Sequence, residues 1–304
     1  MMILCAGESL IDMVPQDGAF RPLAGGSVYN TAIALGRLGE PVAYLWPISR
    51  DPFGEVLLRP LAEAGVNTDL CPRTDRLTTL ALVTLTGGEA RYSFYDEGSA
   101  GRMLEPQDIP ALPDHIEALF AGGISLVPDP CGAAIESLIA RDGDRLPVML
   151  DPNIRPFFIA DADAYRARLS RLIARTDIVK LSGDDLEWLY PGVAADDAAR
   201  RVLAQGPRLV LQTGGAAGAR AHWAGDPVSA PAIPTTVADT IGAGDTFNAG
   251  VLASLRRQGV LSKTGLAAIT AAQIAAALTL GAQAAAITVS RPGANPPWAH
   301  EMPA

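Results

Sequence analysis

Short, almost wholly apolar runs separated by amphipathic stretches set the rhythm of this chain. Ile3–Gly7, Val42–Trp46, Val148–Leu150, Ile178–Leu181 and Arg208–Gln212 are each of strand length, the pattern of strands buried on both faces of a parallel sheet. Between them the spacing predicts helices over 29–38, 54–64, 133–141, 164–175 and 195–204. Strand alternating with helix predicts an α/β fold: a three-layer, doubly wound, mostly parallel sheet, taken as a single domain over residues 1–304. One stretch breaks the rhythm. A Thr-rich run from Leu77 to Thr86 is followed by Gly87-Gly88 and then Glu89–Phe94, which reads as a β-hairpin. A second strand-like piece surrounds Asp17-Gly18, so residues 10–24 and 76–103 are expected to form a small β-sheet lid outside the sandwich.

The 304 residues are 49% apolar and 19% charged, enough for a substantial core. A net charge of −9 argues against nucleic acid as a partner, since duplex binding relies on Lys and Arg. Cys5, Cys71 and Cys131 are odd in number and far apart, which suits neither a disulfide framework nor a zinc ribbon and points to the reducing cytoplasm. His115, His222 and His300 are as scattered, so a histidine metal site is not expected. The N-terminus has no basic region and too short an apolar run for an export signal. Leu266–Thr288 is uncharged and long enough to span a bilayer. Its many alanines, interrupted by Gln273, Gln283 and threonines, favour closely packed buried helices, so no membrane partner is expected.

The chemistry concentrates in Asp239-Thr-Ile-Gly-Ala-Gly-Asp-Thr-Phe-Asn-Ala-Gly250. An extended Pro/Thr-rich segment precedes it and the apolar run Phe247–Leu255 follows, so Gly242, Ala243 and Gly244 fall at a loop-to-helix junction. Small residues there let backbone N–H groups approach a ligand, and the helix N-terminus adds partial positive charge; the natural guest is a phosphate. Asp245 reads either as a first-turn carboxylate that suits the helix dipole or as a general base taking a proton from an attacking hydroxyl. A Walker loop is excluded, because the only lysines, Lys180 and Lys263, follow Val179 and Ser262. The dinucleotide fingerprint fails at Phe247, and Thr213-Gly214-Gly215-Ala-Ala-Gly218 begins with threonine where a glycine is required.

Gly25-Gly26-Ser-Val-Tyr-Asn30-Thr-Ala-Ile-Ala-Leu-Gly36-Arg-Leu-Gly39, together with Asp239–Gly250, resembles the two signatures of the ribokinase (PfkB-type) carbohydrate kinase family. Asp151-Pro-Asn153-Ile-Arg155 and Ser290–Trp298 extend the likeness over nearly the whole chain and resemble the fructokinase and ketodeoxygluconate kinase branch. The resemblance implies a ribokinase-like fold and a sugar site built from Asp12, Gly26, Asn30, Tyr95 and Arg155. It implies a nucleotide site of Ser182, Thr213, Gly215, Gly218 and Gly244, with Asp185 acting on Mg²⁺ through water and Asp239 on K⁺. Asp245 would be the catalytic base, with Gly242, Ala243 and Gly244 as the anion hole. From the residues alone, Asn30 also fits a satisfied amide at a helix start, Arg155 an ion pair, Tyr95 a core or dimer contact, and Asp184-Asp185 an acidic helix start. Asp96, where acid-sugar kinases carry a cation, favours a neutral sugar.

The activity implied is ATP-dependent phosphorylation of a sugar primary hydroxyl, with D-fructose the first substrate to consider. 2-Keto-3-deoxygluconate, ribose and nucleosides are the alternatives, and a sugar-binding sensor without turnover is the reading from another class. Sugar and ATP are the expected small-molecule partners, and the lid is expected to pair two copies of the chain.

Overall fold

The computed structural model describes residues 1–86 and 89–303. Its elements in chain order are β1 (Met2–Ala6), β2 (Leu10–Gln16), β3 (Ala19–Gly25), α1 (Ser27–Arg37), β4 (Val42–Leu45), β5 (Ile48–Ser49), α2 (Pro52–Glu63), β6 (Arg73–Thr74), β7 (Leu80–Thr86) and β8 (Glu89–Tyr95). They continue with β9 (Ile116–Gly122), α3 (Cys131–Asp142), β10 (Val148–Asp151), α4 (Ala162–Ile173), β11 (Ile178–Ser182), α5 (Gly183–Leu189), α6 (Ala195–Leu203) and β12 (Leu209–Thr213). The last are β13 (Ala219–His222), β14 (Val228–Ala230), α7 (Ala243–Arg257), α8 (Lys263–Ala267) and α9 (Ala271–Val289).

The large sheet runs β14-β13-β12-β11-β10-β9-β1-β4, parallel from β12 to β4, with β13 and β14 antiparallel at one edge. Every residue of β4 and β10 is buried, as strands covered on both faces must be. β4 is added on one side of β1 and β9 on the other, so the chain switches direction between β1 and β9. A crevice opens outside the carboxyl ends of the strands at such a switch. Helices α1, α7 and α9 pack together on one face, and the helices joining β9 through β12 cover the other, as right-handed crossovers require.

The five predicted helices all form, and side-chain caps set the start of the second and the fourth. The second begins two residues ahead of its apolar pattern because Asp51 accepts from the Gly54 N–H (2.8 Å) and Pro52 occupies the first helical position. The uncharged stretch 266–288 divides into α8 and α9; α9 is long and apolar enough to cross a membrane, but here it packs along α7. Gly250 and Gly281 face each other at that contact, where a Cβ on Gly250 would fall 2.7 Å from the Gly281 Cα.

A four-stranded sheet, β3-β2-β7-β8, stands apart from the large one. Asp17 and Gly18 at the β2–β3 turn both have positive φ (51° and 79°), the type I′ signature of a two-residue hairpin. The turn assigned to Gly87-Gly88 lies outside the described residues. Beyond β8 the chain returns to the body, where Ser99, Ala100 and Leu104 are buried. Strand β9 escaped the sequence reading, as did the short and partly polar β13 and β14.

Candidate active site

A cavity of about 370 Å³ separates the small sheet from the carboxyl edge of the large one. Leu10, Asp12, Tyr92 and Phe94 line it from the small sheet, Gly26, Ser27 and Asn30 from the start of α1, Arg155 and Phe157 from the loop after β10, and Lys180 from β11. The stretch Thr240–Asp245 closes it. The structure therefore brings Asp12, Gly26, Asn30, Arg155, Gly242, Ala243, Gly244 and Asp245 into one space, although they come from four separate parts of the chain.

Gly242 caps α7 with φ 77°, a left-handed conformation that turns the loop into the helix. The N–H groups of Gly244 and Asp245 belong to the first helical turn, which has no intrahelical acceptors for them. The Ala243 N–H is directed at Thr240 O (3.3 Å), so of the three expected anion-hole donors it has a partner inside the loop. A Cβ on Gly244 would lie 3.2 Å from the Lys180 Nζ, so the space between the helix N-terminus and that ammonium is one a methyl group would fill. A cationic gap floored by free N–H groups fits a phosphoryl group.

Asp245 is buried, and its Oδ2 accepts from the Asn30 Nδ2 at 2.8 Å. Thr31 Oγ1 donates to the Asp245 carbonyl (3.2 Å), docking the first turn of α7 on α1. Burial pushes the Asp245 carboxyl up to about 7; Asp151 and Glu8 add to the rise, and the Asn30 amide and the Lys180 charge oppose it. Burial likewise lifts Asp12 to about 6. Gly26 has φ 120°, and a Cβ there would meet the Glu8 carbonyl oxygen at 2.4 Å, so only glycine lets the chain pass this close.

Several expectations are corrected. Tyr95 is 63% exposed and does not line the cavity. Alternate residues of a strand face opposite ways, and it is Tyr92 and Phe94 that point inward. They stack with Phe157 (Tyr92–Phe157 centroids 5.8 Å, planes 9° apart), an aromatic wall joining the small sheet to the body. Asp96, read as favouring a neutral sugar, is paired with Arg102 (2.7 Å) outside the cavity. Asp185 is used structurally: its Oδ1 accepts from the Ile154 N–H and its Oδ2 from the Ser182 N–H and hydroxyl, each at 2.7 Å. This capping box is the acidic helix start that the residues alone also allowed for Asp185. Asp239 accepts from the Ile241 N–H (3.0 Å) and the Gly293 N–H (2.9 Å), tying the loop before α7 to the segment after α9. Among the described residues no three His, Cys, Asp or Glu side chains cluster as a metal cage.

Of the nucleotide candidates, Gly244 lines the cavity, whereas Ser182, Thr213, Gly215 and Gly218 do not. Ser182 and Thr213 are register partners at the ends of β11 and β12. Gly218 turns the chain into β13, where a Cβ would meet the Ala230 carbonyl oxygen at 2.3 Å, while Gly215 has open space around it. Glu8, Lys180, Tyr92 and Phe157 line the cavity without having been picked out. Lys180 carried a readable signal, a lone charge inside an apolar strand, since lysines are almost never buried unless paired.

A deep cavity with a buried carboxylate at a helix N-terminus, walled by hydroxyl-binding groups and edged by a phosphate cradle, defines a small-molecule phosphotransferase. Residues 1–301 match the family model described as pfkB family carbohydrate kinase. A fructokinase of Rhizobium leguminosarum bv. trifolii is 47% identical over 88% of this chain and 84% of its own. A fructokinase of Klebsiella pneumoniae is 32% identical over 91% of each. The crystal structure of a fructokinase with bound ATP from Xylella fastidiosa superposes with a TM-score of 0.87 at 28% identity, covering 99% of this chain and 95% of that one. The chain belongs to the pfkB family of carbohydrate kinases and is an ATP-dependent sugar kinase.

Proposed function

We propose that this kinase phosphorylates D-fructose at a primary hydroxyl. The observation carrying the reading is that Asp245, its proton affinity raised toward neutrality, faces a cavity of sugar size at the same helix end that offers the phosphate cradle. The fructokinase relatives support the choice of sugar. In the cavity Asp12 and the free side of the Asn30 amide are positioned to engage sugar hydroxyls, and Asn30 fixes Asp245 so that its Oδ1 is left to take the hydroxyl proton. As the hydroxyl oxygen bonds to the γ-phosphorus and the bond to the bridging oxygen breaks, the N–H groups at the start of α7 meet the charge on the phosphoryl oxygens. ATP supplies that phosphoryl group, and we assign Mg²⁺ as the divalent ion carried with the nucleotide phosphates, since Mg²⁺ binds through few carboxylates and keeps its waters. A K⁺ ion beside the Asp239 loop remains part of the proposal through backbone carbonyls rather than the engaged carboxylate.

ADP release measured against fructose, 2-keto-3-deoxygluconate, ribose and adenosine tests the reading. Fructose should give the highest kcat/KM, and its value should fall about tenfold per pH unit below about 7, as Asp245 becomes protonated. Preference for 2-keto-3-deoxygluconate would favour the second reading, which Arg155 in the cavity supports by offering a cation to a carboxylate. Turnover of none of these, with sugar binding intact, would move the protein to the non-catalytic class.

We also propose that the small sheet acts as a lid and as the seat of a homodimer, with Phe20, Leu23, Leu77 and Tyr95 exposed on it or beside it. Tyr92→Ala should raise the sugar KM roughly 3–10-fold through the lost stacking contact. Tyr95→Ser should leave KM alone and weaken self-association in light scattering. A wild-type monomer at every concentration would contradict the dimer. Three buried free cysteines support placing the protein in a reducing compartment, the cytoplasm.

A further inference from the structure

Lys180 sits in the middle of β11, between Val179 and Leu181, and is 4% exposed. A lysine so placed must be paired or used. Its Nζ donates to the Asp151 Oδ2 at 3.1 Å, and the same oxygen takes the Asn248 Nδ2 at 2.7 Å, so the ammonium is held from behind. Asn248 is three residues beyond Asp245 on α7, which makes this anchor rigid with the helix that carries the base. An ammonium has three donors, and among the described residues Asp151 is the only hydrogen-bond partner of this one. Its other side faces the cavity, 3.2 Å from where a side chain on Gly244 would begin.

We propose, resting on the kinase reading above, that Lys180 Nζ contacts the transferring phosphoryl group and is a catalytic residue alongside Asp245 and the N–H groups of α7. The surroundings call for such a cation. Asp151, Asp185, Asp245 and Glu8 all crowd this end of the sheet, and an arriving phosphoryl group brings more negative charge to a buried site. Burial alone would pull the lysine down, but Asp151, Asp185 and Asp245 outweigh it and hold the ammonium above its usual value, so it stays charged through neutral pH. Glycine at 244 keeps the path from ammonium to cradle clear. The competing role is purely structural: neutralising Asp151.

The test is calorimetric binding of ADP with aluminium fluoride, the planar mimic of a phosphoryl group in flight, in the presence of Mg²⁺ and the sugar that wild type turns over. In Lys180→Met, affinity for the fluoroaluminate complex and kcat should each fall about 10²–10³-fold, the usual cost of removing one preorganised oxyanion contact. Affinity for ADP alone and sugar KM should stay close to wild type, while the melting temperature falls because the buried Asp151 loses its ion-pair partner. The double variant Lys180→Met/Asp151→Asn removes the buried pair as neutral groups and covers the case in which the single variant does not fold. A phosphoryl contact leaves the double variant impaired. Recovery of fluoroaluminate binding in the double variant, or wild-type binding in the single one, overturns the proposal. Failure of wild type itself to form the complex overturns the kinase reading and this inference with it.

Discussion

Replacing Asp245 with asparagine is expected to lower kcat by about 10²–10⁴-fold, the scale for loss of a general base, while leaving the protein folded and more heat-stable at alkaline pH. The two effects share a cause. Asp245 is buried against Asn30 on one side and the cavity on the other, and burial raises its carboxyl to about 7 in the folded protein, against about 3.9 in an unfolded chain. A group whose folded pKa is raised contributes stability fully below the unfolded value and loses it as pH rises through the folded one. At pH 8 the native protein therefore carries a charge it would sooner shed, and asparagine removes that penalty. The melting temperature of Asp245→Asn should exceed wild type by at least about 2 °C at pH 8, with a smaller gain at pH 5, where the native carboxyl is already protonated. Near wild-type turnover would sink the mechanism; equal melting curves at both pH values would show that the carboxylate is not strained.

Gly250→Val is expected to cost about 2–3 kcal/mol, the range for overfilling a packed interior, and to lower activity from a distance. Gly250 lies mid-way along α7, where glycine is intrinsically unfavourable, and is retained by packing: a Cβ there meets the Gly281 Cα at 2.7 Å and the Leu280 carbonyl at 2.9 Å on α9. Backbone atoms cannot rotate aside as a flexible side chain would, so the helices must part. Because the first turn of α7 carries Asp245 and docks on α1 through Thr31, its displacement should lengthen the Asn30–Asp245 contact and reduce kcat together with the melting temperature, by about 3–5 °C. An unchanged melt and unchanged kcat would show that the α7–α9 contact yields without consequence.

The phosphate-binding end of the site was legible in the sequence because it is local: Gly242, Gly244 and Asp245 are contiguous, and a loop, a helix start and a carboxylate within four residues imply one another. The sheet was legible for a similar reason, since strands buried on both faces leave unbroken apolar runs, as in Val42–Leu45 and Val148–Leu150. Strand β9 was missed because Ile116–Gly122 is as compatible with a helix as with a strand until β1 and β10 flank it. The choice of Tyr95 over Tyr92 failed on a parity that only the pairing of β7 with β8 fixes, because a strand shifted by one residue exchanges its two faces.

Asp185 looked like a metal carboxylate in a row of acids. Its Oδ2 caps the helix locally through Ser182, and its Oδ1 is filled only because the Asp151–Ile154 loop, about thirty residues away in sequence, delivers an N–H to it. Lys180 was visible as an oddity and gained meaning only beside Asp151 and Gly244. The sequence by itself determined the five apolar strands read from it, the helices between them and the chemistry of the α7 junction, all set by neighbours along the chain. The tertiary structure decided which carboxylates are occupied, which face of the small sheet meets the sugar and where the buried ammonium points. Those depend on contacts between residues 30 and 245, 151 and 180, and 154 and 185, which exist only when the sheet stacks its strand ends along one edge.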